Sequence, residues 1–200
     1  LDGLRTRGAS VVLAGHGIQS NESVAGENIA VEFERGSPAM DALLRHHGLI
    51  PVEQLLLDPD AGERVLTAAN GPGTVQQFVP WYVRCTANHQ NFRTMRGQPN
   101  GSLLFRTPSA FFPDPVRLDE LGLNATVLAT AGDGASLHPL PAQRLDSVQI
   151  AELRGRAQPN AALAAVLRPG DPWGGRVMAL ADSAVFGDEH WAQEHYAHVV

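Results

Sequence analysis

The chain has 200 residues and is 44% hydrophobic, which is enough for one well-packed domain. All 15 basic residues are arginine, which excludes a Schiff-base lysine, a phosphate-loop lysine and a lysine general base. A net charge of −6 without a basic stripe argues against a nucleic-acid partner, and the single cysteine, Cys85, excludes an internal disulfide and a thiolate-rich metal cluster.

Leu1–Arg5 reads as the tail of a helix already under way, so the chain is expected to be a domain or fragment of a longer protein. Ala9–Gly15 (ASVVLAG) is an apolar run ending in glycine, which predicts a strand buried on both faces of a parallel sheet. Residues 16–36 are polar and predict a long loop. Ser37–His47 predicts a helix: Ser37 can cap it, Pro38 suits its first position, and Asp41 lies in the first turn. Met40, Leu43, Leu44 and His47 share one face, and Gly48 terminates.

Leu49-Ile50-Pro51 predicts a short connection and Leu55–Asp58 a second strand. Residues 59–99 show no sustained period and predict an irregular insertion. Gly101–Arg106 predicts a strand, Arg117–Leu121 a helical turn ended by Gly122, and Ala125–Thr130 a strand leading into the small-residue loop Ala131–Ser136. Residues 137–159 are loop-rich. Ala161–Leu167 is helical by propensity, but the turn residues of Arg168–Gly175 followed by Arg176–Ala181 favour a C-terminal β-hairpin. Glu189–Val200 can begin a final helix. No run approaches the roughly 20 apolar residues that span a bilayer, so this segment is not expected to insert into a membrane.

Strands alternating with helices predict a single α/β domain over residues 1–200 with a mostly parallel sheet, and ligands at the strand carboxyl ends. Those ends are Gly15-His16-Gly17, Asp58, Arg106-Thr107, Thr130–Ser136 and Asp182-Ser183. The order of the pieces, from ASVVLAG through SPAMDALLRHHGLIPVEQLLLDP and ATVLATAGDGAS to NAALAAVL and GGRVMALADSAVFGDEH, resembles the soluble domain of ABC-transport auxiliary and gliding-motility proteins. That domain is similar to the amidotransferase-like domain of intraflagellar transport proteins. Its most recognisable motif, a glycine-led strand ending in Asp-Ser before a small residue and a phenylalanine, is Gly175–Phe186 here. The resemblance implies a flavodoxin-like or amidotransferase-like three-layer sandwich, used for binding or assembly, from which the family's usual first strand, before the helix that Leu1 finishes, is missing here.

An amidotransferase nucleophile needs a tight strand-to-helix elbow, a histidine base and an acidic orienter. Cys85 sits in WYVRCTANH without flanking glycines, and His89 would face it only on a helix, so Cys85 reads as a semi-buried thiol. There is no GxSxG elbow, and valine and phenylalanine crowd the positions after Ser183. Gly15-His16-Gly17 and Gly132-Asp133-Gly134 lack the GxGxxG spacing of a dinucleotide fingerprint.

The weak ligand-binding candidates are His16, between two glycines, Asp58 and Asp182, which can hold a cation or form turns, and Ser183. Asp182 is expected to accept hydrogen bonds from the amides of Ala184 and Val185. Trp81, Tyr82 and Trp173 are candidate contact aromatics, with core packing as the alternative. His190, His195 and His198 are candidate metal ligands or else lie on a polar terminal helix. No cofactor is expected.

The leading expectation is a non-catalytic binding or assembly domain on the extracytoplasmic side of a membrane-anchored parent. Its partners would be protein subunits of a membrane-associated complex or a polymer. The alternative is a metal-assisted hydrolase or transferase with a His/Asp site.

Overall fold

The computed structural model describes residues 3, 7–15, 17–25, 28–60, 62–68, 74–85, 103–153, 155–171 and 173–183. Strands dominate and helices are few and short, with mixed sheets and a curled half-barrel. The expected α/β three-layer sandwich is therefore corrected. Among the described residues only β1 (Val11–Ala14) and β15 (Val177–Leu180) pair in parallel, and the other pairings are antiparallel.

The largest sheet runs β1, β15, β14 (Ala162–Pro169), β9 (Phe111–Pro113) and β4 (Leu49–Pro51), with β10 (Leu123–Thr130) also paired to β14. Its centre is β14, buried almost throughout, which explains why an alanine- and leucine-rich run forms a strand here despite its helical propensity. The expected hairpin exists: β14 and β15 pair antiparallel, with Val166 opposite Met178. By contrast, β1 is not buried on both faces. Only Leu13 is buried in it, and Val12 stays 53% exposed.

The described part of residues 16–36, expected to be a loop, forms a hairpin of β2 (Ile18–Ala25) and β3 (Asn28–Arg35), with β12 (Leu145–Asp146) added to β3. Ile18, Val31 and Phe33 point inward while Gln19, Asn21, Glu32 and Glu34 face solvent, the period-2 pattern of a half-buried sheet. The described part of 59–99 is likewise no irregular insertion. It forms β6 (Gly62–Ala68) and β7 (Thr74–Cys85), which pair with each other, and β7 pairs onward with β8 (Leu103–Arg106). Residues 137–159 are short elements and not only loop. β11 (Ser136–His138) pairs with β5 (Leu55–Leu57) and with β13 (Arg156–Ala157). A capping box of Asp146 and Gln149 starts a five-residue helix there.

The helix expected at Ser37–His47 is α1 (Pro38–His46), with Leu44 and the following His47 buried. Ser37 occupies the cap position without a side-chain bond, and Pro38 presets the first turn. Gly48 follows at φ +81. The turn expected at Arg117–Leu121 is α2 (Pro115–Glu120), capped by Asp114, whose side chain accepts from the amides of Val116 and Arg117. Two hydrophobic clusters result, one on the large sheet and one between β3, β5 and β7. Among the described residues no helix is long and apolar enough to cross a membrane. Leu1–Arg5 and Glu189–Val200, read as helical, lie outside the described residues apart from Gly3.

Candidate functional site

The carboxyl ends of β1, β8 and β15 converge on the buried segment Thr107–Ala110, which carries the chain from β8 to β9. Thr107 donates its amide to the Trp81 carbonyl at 2.8 Å, and Ser109 donates its amide to Ala181 O at 3.1 Å. Thr107 is a β-branched residue at φ 52, a conformation L side chains rarely adopt. Its hydroxyl donates to Ser20 Oγ at 2.8 Å, so bonds from β7 and β2 fix it on both sides.

Beside this segment lies a cleft of about 320 Å³ lined by Gly17, Arg35, Gly36, Asp41, Arg45 and Glu53. Gly36 closes the base of the β2–β3 hairpin by donating its amide to Gly17 O at 2.8 Å, which places Arg35 on the rim. Asp41 and Arg45 come from α1, where an i, i+4 spacing puts them on one face. Glu53 projects from the connection between β4 and β5, pinned where Val52 donates its amide to Ala110 O at 2.8 Å. Its carboxylate meets Arg35 Nη1 at 3.0 Å and Arg45 Nη2 at 3.6 Å.

A Cβ on Gly17 would lie 2.6 Å from Ser109 Oγ and 3.4 Å from Asp41 Oδ1, so only glycine fits without displacing Ser109. Both oxygens are buried without a hydrogen-bond partner among the described residues. Burial pushes the Asp41 carboxyl up, Arg45 and Arg35 oppose the shift, and Glu53 adds to it.

The sequence candidates distribute unevenly around this site. His16 lies outside the described residues, but Gly17 beside it lines the cleft. Asp182 is buried, and its Oδ2 accepts the Arg106 amide from β8; Ala184 and Val185, the expected donors, lie outside the described residues. Ser183 follows, half-buried. Asp58 is placed elsewhere, at the end of β5. Its Oδ2 accepts from Gly132 N at 3.0 Å and its Oδ1 from Asp60 N at 3.2 Å, so it stitches β5 to the loop after β10.

Trp81 is fully buried, so its side chain is not a surface contact. Its Nε1 donates to Glu22 Oε1 at 3.0 Å, while half-buried Tyr82 donates its hydroxyl to Glu22 Oε2 at 3.0 Å. Arg106 completes the cluster with an ion pair to Glu22 at 3.3 Å and its guanidinium 5.4 Å from the Tyr82 ring centroid. Trp173 is 86% exposed, in the turn between β14 and β15. His190, His195 and His198 lie outside the described residues, and among those described no group of three or more His, Cys, Asp and Glu is placed to hold a metal.

Cys85 is buried, its Sγ donates to the Thr130 carbonyl, and burial pushes the thiol up to about 12. It is a protonated thiol at neutral pH and a poor nucleophile. Ser136 Oγ and His138 Nε2 share a hydrogen bond of 2.8 Å, but His138 is buried and its Nδ1 has no partner among the described residues. The orienting carboxylate of a triad is thus not found there.

Compared with known proteins, the chain matches no protein-family model and no curated protein. Sequence reasoning missed Arg35, Arg45, Glu53 and Ser109. The i, i+4 pair Asp41 and Arg45, opposite the apolar face of α1, was the one local signal available.

Proposed function

We propose that this is a non-catalytic binding and assembly module whose contact face is the carboxyl end of β1, β8 and β15, with the cleft beside α1 as its binding pocket. One observation carries this role. Ser109 Oγ and Asp41 Oδ1 are buried, unpartnered oxygens that converge at Gly17, next to a cleft rimmed by two arginines. Buried polar atoms are normally hydrogen-bonded, and unsatisfied ones concentrate where a ligand or water completes the set. The protonated Cys85 and the engagement of Asp58 and Asp182 by backbone amides favour binding over nucleophilic chemistry.

The wider role, an auxiliary subunit of ABC-type transport or gliding machinery on the extracytoplasmic side of a membrane-anchored parent, rests on sequence likeness alone, from ASVVLAG to Gly175–Phe186, because the fold that likeness implied is not the one observed. Protein subunits or a polymer would be its partners.

A small-fragment screen followed by amide chemical shifts tests the binding face. Shifts should cluster at Gly17, Gly36, Asp41 and Ser109. Clustering at Trp173 instead would move the contact face to the β14–β15 turn and sink this assignment.

A further inference from the structure

The arrangement around Glu53 indicates what the cleft holds best, provided the binding face is the one proposed above. One carboxylate sits between two guanidiniums supplied by different elements, Arg35 at the end of β3 and Arg45 in the last turn of α1. Each carboxylate oxygen faces a different arginine, at 3.0 and 3.6 Å. Arg35 makes a charge-assisted hydrogen bond to one oxygen and Arg45 an ion-pair contact to the other, the kind of paired guanidinium setting that recognises carboxylates. All three side chains are well exposed, 70% for Arg35, 49% for Arg45 and 52% for Glu53. Exposed ion pairs of this kind hold weakly and are screened by salt, so the Glu53 carboxylate can leave without unfolding anything.

Charge then selects the replacement. With Glu53 in place, Arg35 and Arg45 balance Asp41 and Glu53. With Glu53 swung into solvent, Arg35 and Arg45 lose their shared carboxylate, which the carboxylate of a small ligand replaces. Asp41, on the face of α1 that carries Arg45, contributes an oxygen without a partner among the described residues and asks for a donor. The volume of about 320 Å³ lies at the small end of ligand pockets.

The geometry points to a carboxylate-binding site in which Glu53 is a built-in competitor: a small amino- or hydroxy-carboxylate replaces the Glu53 carboxylate between Arg35 and Arg45 and directs its donor group to Asp41. The site therefore gates itself, since a ligand must outcompete a tethered mimic of its own recognition group.

The test is titration of the folded chain, at matched ionic strength, with L-alanine, lactate and acetate, followed by calorimetry and by the amide shifts of Gly17, Gly36 and Asp41. E53Q should tighten binding of L-alanine and lactate by about tenfold relative to the native chain. Adding R45Q or, in a parallel protein, R35Q should cancel that gain, so a folding defect in one double variant leaves the other to report. D41N should remove the preference for L-alanine and lactate over acetate. Equal affinity of the native chain and E53Q, with shifts in the cleft, would overturn the competitor role and leave the binding face standing. Absence of cleft shifts with all three acids in both proteins would overturn carboxylate recognition. The fragment screen decides separately whether the face itself falls.

Discussion

His138 shows how a single buried side chain sets a pH limit on the fold. Its ring is buried on β11, and burial holds its pKa below the ordinary 6.5. The folded state keeps the ring neutral, whereas the unfolded chain takes up a proton as pH falls through 6.5. Below that point the unfolded state binds more protons than the folded one, so stability falls with acidification until the lowered folded value is passed. Above it the contribution is complete. Urea unfolding at about pH 7.5 and about pH 5 should show a larger loss for the native chain than for His138→Gln, which keeps a polar partner for Ser136 and does not titrate. Equal losses in the two proteins would show that His138 does not set this dependence. Asp41 has the opposite sign: its raised carboxyl pKa favours the folded state at acid pH and loses that contribution as pH rises above 3.8.

At the scale of elements, some local signals were read correctly and others were missed. α1 was legible because Ser37-Pro38, the spacing of Met40, Leu43 and Leu44, and Gly48 all specify one helix within a dozen residues. β8, β10 and the β14–β15 hairpin were legible as apolar runs between turn residues. β2 was missed because its outward face is Gln19, Asn21 and Ser23, and even Ser20 and Glu22 on the other face are polar, which leaves Ile18 alone to mark the core at its start. β7 carries Val79, Trp81, Val83 and Cys85 inward at period 2, a signal masked by Pro80 and by the glycines and prolines before it. Sheet direction was legible only at the C-terminal hairpin, and the mostly parallel sheet expected elsewhere was wrong. The short turn between β14 and β15 already demanded an antiparallel pair, and β10 joined β14 by contacts distant in sequence.

The cleft was partly legible for the same reason, since Asp41 and Arg45 are local while Arg35, Glu53 and Ser109 arrive from three other segments. Asp182 illustrates how an element end is fixed. Asp182→Ala should cost about 1–3 kcal/mol, because the Arg106 amide loses the buried carboxylate it donates to, and Asp182→Asn should cost less by retaining an acceptor oxygen. Equal losses would mean that this carboxylate's charge, and not its acceptor, ties β15 to β8.

At the scale of the whole molecule, the question is what makes separate sheets fold as one body. The two hydrophobic clusters share Tyr82, which packs against both, and Glu22 is the polar group that holds this junction. From β2 it accepts hydrogen bonds from Trp81 and Tyr82 on β7 and pairs with Arg106 on β8, so one side chain links two sheets. Trp81 is fully buried and packs edge-on to Phe33 at 5.8 Å, so its indole N–H depends on Glu22. Glu22→Ala should therefore lower unfolding free energy by about 1–3 kcal/mol, mostly through stranding that donor. Glu22→Gln retains one acceptor oxygen and loses the ion pair to Arg106, so it should fall between the two. Chemical unfolding followed by circular dichroism and by tryptophan fluorescence measures both variants. If Glu22 couples the sheets, the two probes separate into different transitions in Glu22→Ala while coinciding in the native chain. A stability loss with probes still coincident would reduce Glu22 to a local partner of Trp81 and leave the coupling to apolar contacts around Tyr82.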